Sequence, residues 1–173
     1  MKNLTSNRVL LLFGIFMLIM FIVVMFIVNP LIDNKNGLEV IKLQLLFNKE
    51  KALALTSSWS IDNFKRYIFT DYIYAISYTL FLSSLLLNLI NKNIKKFKKF
   101  MIFIYLVLVA GLCDWIENSL ELYFFANSAN FSNSLFILHS TISLIKWLAL
   151  PIVLASIVIL IRRVNANNPS STR

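Results

Sequence analysis

Asp114, Glu117, Asn118 and Glu121 stand at i, i+3, i+4 and i+7 inside the otherwise apolar run 101–126. On a helix this spacing sets three carboxylates and an amide on one face. Groups so placed can hold a cation, exchange protons, or serve as general acid and base. In a lipid-spanning helix they are costly. A charge at mid-span costs about 2.5–3.5 kcal/mol, so Asp114 and Glu117 together cost roughly 5–7. The Leu, Ile, Val and Phe side chains of the same run return about 4–8 kcal/mol. The helix is marginal alone with both acids ionised, and it needs partner groups, protons or water.

Two other apolar runs supply partners. His139, Ser143 and Lys146 at i, i+4, i+7 share one helix face, and so do Asp71, Tyr74 and Tyr78 at i, i+3, i+7, with Ser77 beside them. At 1.5 Å per residue Lys146 lies about 15 Å below the outer end of its helix, and Glu117 and Asp114 about 13 and 18 Å below theirs. These three can share a layer, with Lys146 paired to Glu117 or Asp114. Glu121, His139 and Asp71 fall about 3–8 Å deep, in a second layer nearer the outer surface. The expected result is an intramembrane polar site that opens outward. Asp71, Glu121 and His139 also offer a thin case for a metal, so the reading is no metal and no cofactor.

The elements that must position these groups are helical. Of 173 residues 58% are hydrophobic, and with three Gly and three Pro there is little for a turn-rich β protein to use. Mean hydropathy is +0.74. Long apolar runs, rather than short alternating segments, indicate a helical membrane protein and not a barrel. The lone Cys113 rules out an internal disulfide, CxxC redox chemistry and cysteine zinc sites. It reads as a small buried hydrophobe. No Gly-rich phosphate loop is present. The net charge of +9 is better explained by basic residues flanking spans than by nucleic acid, so no nucleic-acid partner is expected.

Spans are expected at about 9–28, 69–90, 101–126 and 135–161, all in one membrane domain. The first is too long for a secretory h-region and reads as retained. Asn29-Pro30 should end it. Ser60 and Asp62 can cap a helix leading into the second span. Segment 29–66 reads as an extracytoplasmic cap: "NPLIDNKNG" turn-like, "LEVIKLQLLF" extended or helical, "NKEKALALTSSW" a short amphipathic helix begun by Asn48. It either covers the mouth of the bundle or lies at the headgroups with Trp59 as anchor. "NKNIKKFKKF" reads as a basic hairpin, Pro151 as a kink in the fourth span, and 164–173 as a disordered tail. Lys2, Arg8, the lysines of 92–99, Arg162, Arg163 and Arg173 fall on one side with no acid among them, which places both termini in the cytoplasm. Tyr67, Tyr72 and Tyr123 fit an interfacial belt, Trp115 and Trp147 flank the charged layer, and Gly111 suits close helix approach.

The order "FTDYIYAISYTLFL", "AGLCDWIEN", "LIKW" resembles a group of small bacterial four-span membrane proteins. They share an Asp before an aromatic-rich second span, D-x-x-E-N in the third and a Lys in the fourth. "LQLLFNKEKALALTSSW" is similar to their cap segment, and the likeness covers most of 38–150. It implies four helices and a common site of Asp71, Asp114, Glu117, Asn118 and Lys146, and no particular activity. The expectation is an all-α integral membrane protein: a four-transmembrane-helix bundle with an extracytoplasmic cap, in the bacterial cytoplasmic membrane. Its site, Asp71, Tyr74, Tyr78, Asp114, Glu117, Asn118, Glu121, His139, Ser143 and Lys146, would bind or transport a small amphiphile or lipid, with proton coupling as an option. Two alternatives stand beside it. One is a membrane-embedded enzyme using carboxylates as acid and base on a lipid-like substrate. The other is an accessory subunit with a structural charged layer. Membrane lipid is the expected partner, with a second copy or another membrane protein as further options.

Overall fold

The computed structural model describes residues 6–33, 38–92, 94–127 and 130–167. Among them there is no strand. The order is α1 (Asn7–Ile22), a π-helical stretch (Val23–Val28), α2 (Pro30–Asp33), α3 (Glu39–Gln44), α4 (Lys49–Thr56), α5 (Ile61–Asn91), α6 (Ile94–Phe97), a 3₁₀ turn (Lys98–Met101), α7 (Ile102–Ala126) and α8 (Asn133–Asn167). Four stretches are long and apolar enough to cross a membrane: Asn7–Ile32, Ile61–Asn91, Lys95–Ala126 and Asn133–Ala166.

Local chemistry explains the boundaries. Ser60 caps α5 by accepting from the Asn63 amide at 3.4 Å, with Asp62 in the first turn where the helix dipole favours an acid. Asn48 caps α4 by accepting from the Lys51 amide at 2.9 Å. The Asn29-Pro30 pair does not end the first span as expected. The Asn29 amide reaches back to the Val24 carbonyl at 2.9 Å, and the wider turn delivers Pro30 to the first position of α2. There its missing N–H is no loss. Of "LEVIKLQLLF", Glu39–Gln44 is helical as α3, and Leu46 and Phe47 are irregular. α8 runs through Pro151 and on to Asn167, so 164–167 are helix rather than tail. Residues 168–173 lie outside the described residues, as do 34–37 of the turn-like segment, Asn93 of the basic connection, and 128–129. The described part of that connection is a helical turn followed by a 3₁₀ turn, not a tight hairpin.

α5, α7 and α8 form the core, with α7 packed between the other two, and α1 leans chiefly on α5. Gly111 of α7 allows the close approach to α5, since a Cβ there would collide with Thr79 Oγ1. Two apolar clusters fill the interior. One, at the cap end, gathers Val40, Leu43, Trp59, Phe64, Phe124 and Phe136. The other, at the basic end, gathers Leu82, Leu86, Phe97, Val107, Val153 and Leu160. In α5, α7 and α8 alike, the buried ionisable groups Asp71, Asp114, Glu117, Glu121, His139 and Lys146 fall in sequence between the two clusters.

α3 and α4 cover the cap end. The Phe47 amide donates to Ser140 Oγ at 3.3 Å, Lys49 Nζ to the Phe131 carbonyl at 2.6 Å, and Trp147 Nε1 to Gln44 Oε1 at 3.0 Å. Asn63 Nδ2 holds the Leu31 carbonyl at 2.8 Å. Trp59 is 7% exposed and packs on Phe64 and Phe125, so it is a core residue rather than a headgroup anchor. Tyr67 is likewise buried and leaves the expected belt, because its ring stacks on Phe64. Tyr123 stays exposed, and Tyr72 binds Ser119 at 2.7 Å.

Candidate functional site

α7 carries the polar face and α5 and α8 close on it. Lys146 Nζ donates to Asp114 Oδ1 and to Glu117 Oε1, both at 2.8 Å, with the lysine side chain 6% exposed. The i, i+3 spacing of the two acids lets one ammonium serve both. Tyr78 from α5 donates to the other oxygen of Asp114, Oδ2, at 3.0 Å. One turn nearer the cap, Asn118 Nδ2 donates to Asp71 Oδ2 at 3.0 Å. Nearest the cap, His139 Nε2 meets Glu121 Oε1 at 3.2 Å, both side chains fully buried. Phe124 stands edge-on to the His139 ring at 5.5 Å, and Phe136 lies 5.4 Å from it.

The two sequence layers are therefore both present, with one change. Asp71 faces Asn118 instead of joining Glu121 and His139, because its place on α5 is opposite the middle of the α7 face. Among the described residues no three His, Cys, Asp or Glu side chains converge as a metal site, so the set Asp71, Glu121 and His139 does not assemble as one. Ser143 is fully buried, but its hydroxyl donates to the His139 carbonyl of its own helix at 3.0 Å. Tyr74 contributes a ring, 5.5 Å from Tyr78 and 6.3 Å from Phe21 of α1. Trp115 is exposed on the lipid-facing side, whereas Trp147 is tied to the cap.

Several buried polar atoms have no hydrogen-bond partner among the described residues: Glu117 Oε2, Asn118 Oδ1, Glu121 Oε2 and His139 Nδ1. An unmade hydrogen bond on a buried group costs about 1–3 kcal/mol, more if it is charged. Four such atoms lie on neighbouring turns of α7 and on the facing turn of α8.

Above them lies a cavity of about 220 Å³. Its walls are the rings of Trp59, Phe124, Phe125, Phe131 and Phe136, and Glu121 is the one charged residue lining it. α4 supplies a further wall with Leu53, Thr56 and Ser57. Gln44 of α3 is buried and its Oε1 accepts from Trp147, which ties the cap to α8.

Phe124, Phe136, Gln44 and Ser140 are the residues that polar spacing alone passes over. Two of them had a signal. Phe124 continues the α7 face at i+3 from Glu121, and Phe136 precedes His139 by three on α8. Gln44 and Ser140 meet the site only through the folded cap.

Fold and site together define a helical protein, with four helices able to cross a membrane, built around a buried ionic column beneath an aromatic cavity. No protein-family model matches the chain, and no curated protein or solved structure matches it either.

Proposed function

We propose that the chain is a small polytopic membrane protein that binds, and passes on, a small amphiphile through its aromatic cavity. The reading rests on one observation: the fully buried Glu121 is the one charged residue lining a mostly aromatic and aliphatic cavity, and it keeps an unpartnered carboxyl oxygen. Ligand sites are typically apolar hollows with a few placed polar groups, and this is that pattern. The basic ends of the helices face the cytoplasm, so the cap and cavity face outward. The ligand reaches the cavity when α3 and α4 lift from Ser140, Phe131 and Trp147. Rings take its apolar body, and Glu121 and the unpaired atoms behind it take its polar end. Lys146 fixes the base of the site by holding Asp114 and Glu117 in place.

The buried hydroxyl of Ser143 is bonded to its own helix, so an enzymatic reading would rest on the carboxylates as acid and base. The accessory-subunit reading draws on a specific feature, the closed set of Tyr78, Asp114 and Lys146, in which both carboxylate oxygens of Asp114 are satisfied. Native mass spectrometry of mildly extracted protein separates the two. Wild type should carry an added mass that Leu53→Trp, which fills the cavity, loses and that Leu154→Trp, on the exposed face of α8, keeps. Equal spectra for all three would sink the binding reading.

A further inference from the structure

We infer that the ligand's polar end is a cation: a small organic ammonium whose charge sits on Glu121 and whose body lies among the rings. This rests on the amphiphile reading above and names its substrate class.

The first argument is charge. The column holds four carboxylates, Asp71, Asp114, Glu117 and Glu121, all buried. Lys146 is spent on Asp114 and Glu117. Among the described residues the hydrogen-bond partner of Glu121 is the imidazole of His139, and Lys146 acts on it only from a distance. A buried carboxyl without a counter-charge ionises only when a cation comes to it, and an ammonium ligand supplies that cation.

The second argument is hydrogen-bond polarity. With Glu121 ionised beside a cationic ligand, His139 Nε2 carries the proton it donates to Oε1 and Nδ1 of the neutral ring is a lone pair. Glu121 Oε2, on the one residue of the four that lines the cavity, is then an acceptor in need of a donor. The hydroxyls of α4 give none, because Thr56 Oγ1 donates to the Ala52 carbonyl at 2.9 Å and Ser57 Oγ to that of Ala54 at 2.8 Å. An ammonium brings up to three donors and no acceptor, whereas a phosphate or carboxylate head would add acceptors to acceptors.

The third argument is the wall. Aromatic faces attract cations, and Phe131 already takes one, with Lys49 Nζ 4.5 Å from its ring centre at the rim. Size then limits the ligand. An apolar cavity of roughly 150 Å³ accepts benzene, so about 220 Å³ suits one ring with a short amine arm.

The test uses full-length protein in nanodiscs of zwitterionic lipid, with three probes of matched shape: phenethylammonium, 2-phenylethanol and phenylacetate. Binding is read by calorimetry. Phenethylammonium should bind at least tenfold tighter than 2-phenylethanol, and phenylacetate weakest. Glu121→Gln should bring the ammonium within about twofold of the alcohol, whose own affinity stays put, and Leu53→Trp should block all three. The wild-type ranking is decisive even if Glu121→Gln folds poorly. Equal binding of ammonium and alcohol, tighter binding of phenylacetate, or a preference that survives Glu121→Gln would overturn the cationic assignment and leave the amphiphile reading standing. Failure of all three probes to bind wild type would take down both.

Discussion

Replacing Lys146 with Met removes the one cation that two carboxylates share. The lysine makes contacts of 2.8 Å to Asp114 and to Glu117, in a layer where all three side chains are 6% exposed or less. Removing one partner of a buried ion pair costs about 3–5 kcal/mol, because the remaining charge is stranded. Here two charges are stranded on successive turns of one helix, so the upper part of that range, about 4–5 kcal/mol, is expected. The triple change Lys146→Met, Asp114→Asn, Glu117→Gln removes the stranded charges and leaves Tyr78 an acceptor. It should return stability to within about 2 kcal/mol of wild type, since neutral replacements of whole buried ion pairs are often harmless. Reversible unfolding in mixed micelles of a mild detergent and dodecyl sulfate measures both. A loss under about 1 kcal/mol for the single change is the size seen for exposed pairs. That result would refute the claim that this layer is dry and closed. A triple variant no better than the single one would refute the claim that stranded charge is the cause.

Gly111→Ala should cost about 1–3 kcal/mol by overpacking against Thr79. Thr79→Ala, which removes an unpartnered hydroxyl, should be near neutral alone and recover most of that loss, and a double-mutant cycle by unfolding checks it. Gln44→Leu deletes the 3.0 Å tie to Trp147. At about 1 kcal/mol for the bond, amide exchange across 38–56 should quicken roughly fivefold while that of α7 is unchanged. In a Cys113→Ala background, Ser57→Cys should react with a membrane-impermeant maleimide added outside intact cells, and Lys96→Cys only after lysis. The reverse pattern would invert the proposed orientation.

The helices were legible because the solvent that selects them is simple. A bilayer demands about 20 apolar residues and satisfied backbone, and this sequence shows four such runs plainly. The charged faces were legible for the same reason: Asp114, Glu117 and Lys146 stand out against lipid-compatible neighbours, and their depths could be matched from rise per residue alone. Partner choice within a layer was less visible. Counting rise from the span end put Asp71 level with Glu121, yet it meets Asn118, because the axial offset between helices depends on packing such as Gly111 against Thr79. The cavity was not legible at all. It arises where α3 and α4 fold back over the bundle, and nothing in the spacing of Gln44, Leu53 or Phe131 announces that they meet. Trp59 and Tyr67 misled because aromatic residues near span ends suit the interface and a capped core equally.

Hydrogen-bond satisfaction along α7 bears on whether the charged column is packing glue or a site. Asp114, deepest from the cap, has both oxygens engaged, one by Lys146 and one by Tyr78. A turn later, Glu117 and Asn118 each use one polar atom and leave the other unpartnered. A further turn on, Glu121 and His139 do the same. Seven residues of helix, about 10 Å, thus carry the column from saturated to half-satisfied, and the half-satisfied end is the one that meets the cavity. A device that only sets helix register gains nothing from this gradient, since each unmade bond weakens it. A site that exchanges an occupant needs it: a rigid, fully paired base to hold geometry, and open valences where the occupant arrives. On this reasoning Tyr78→Phe should loosen the base and cost stability, whereas Glu121→Gln should change what the cavity holds and cost little. If unfolding and probe binding instead move together in both variants, the column is one structural unit.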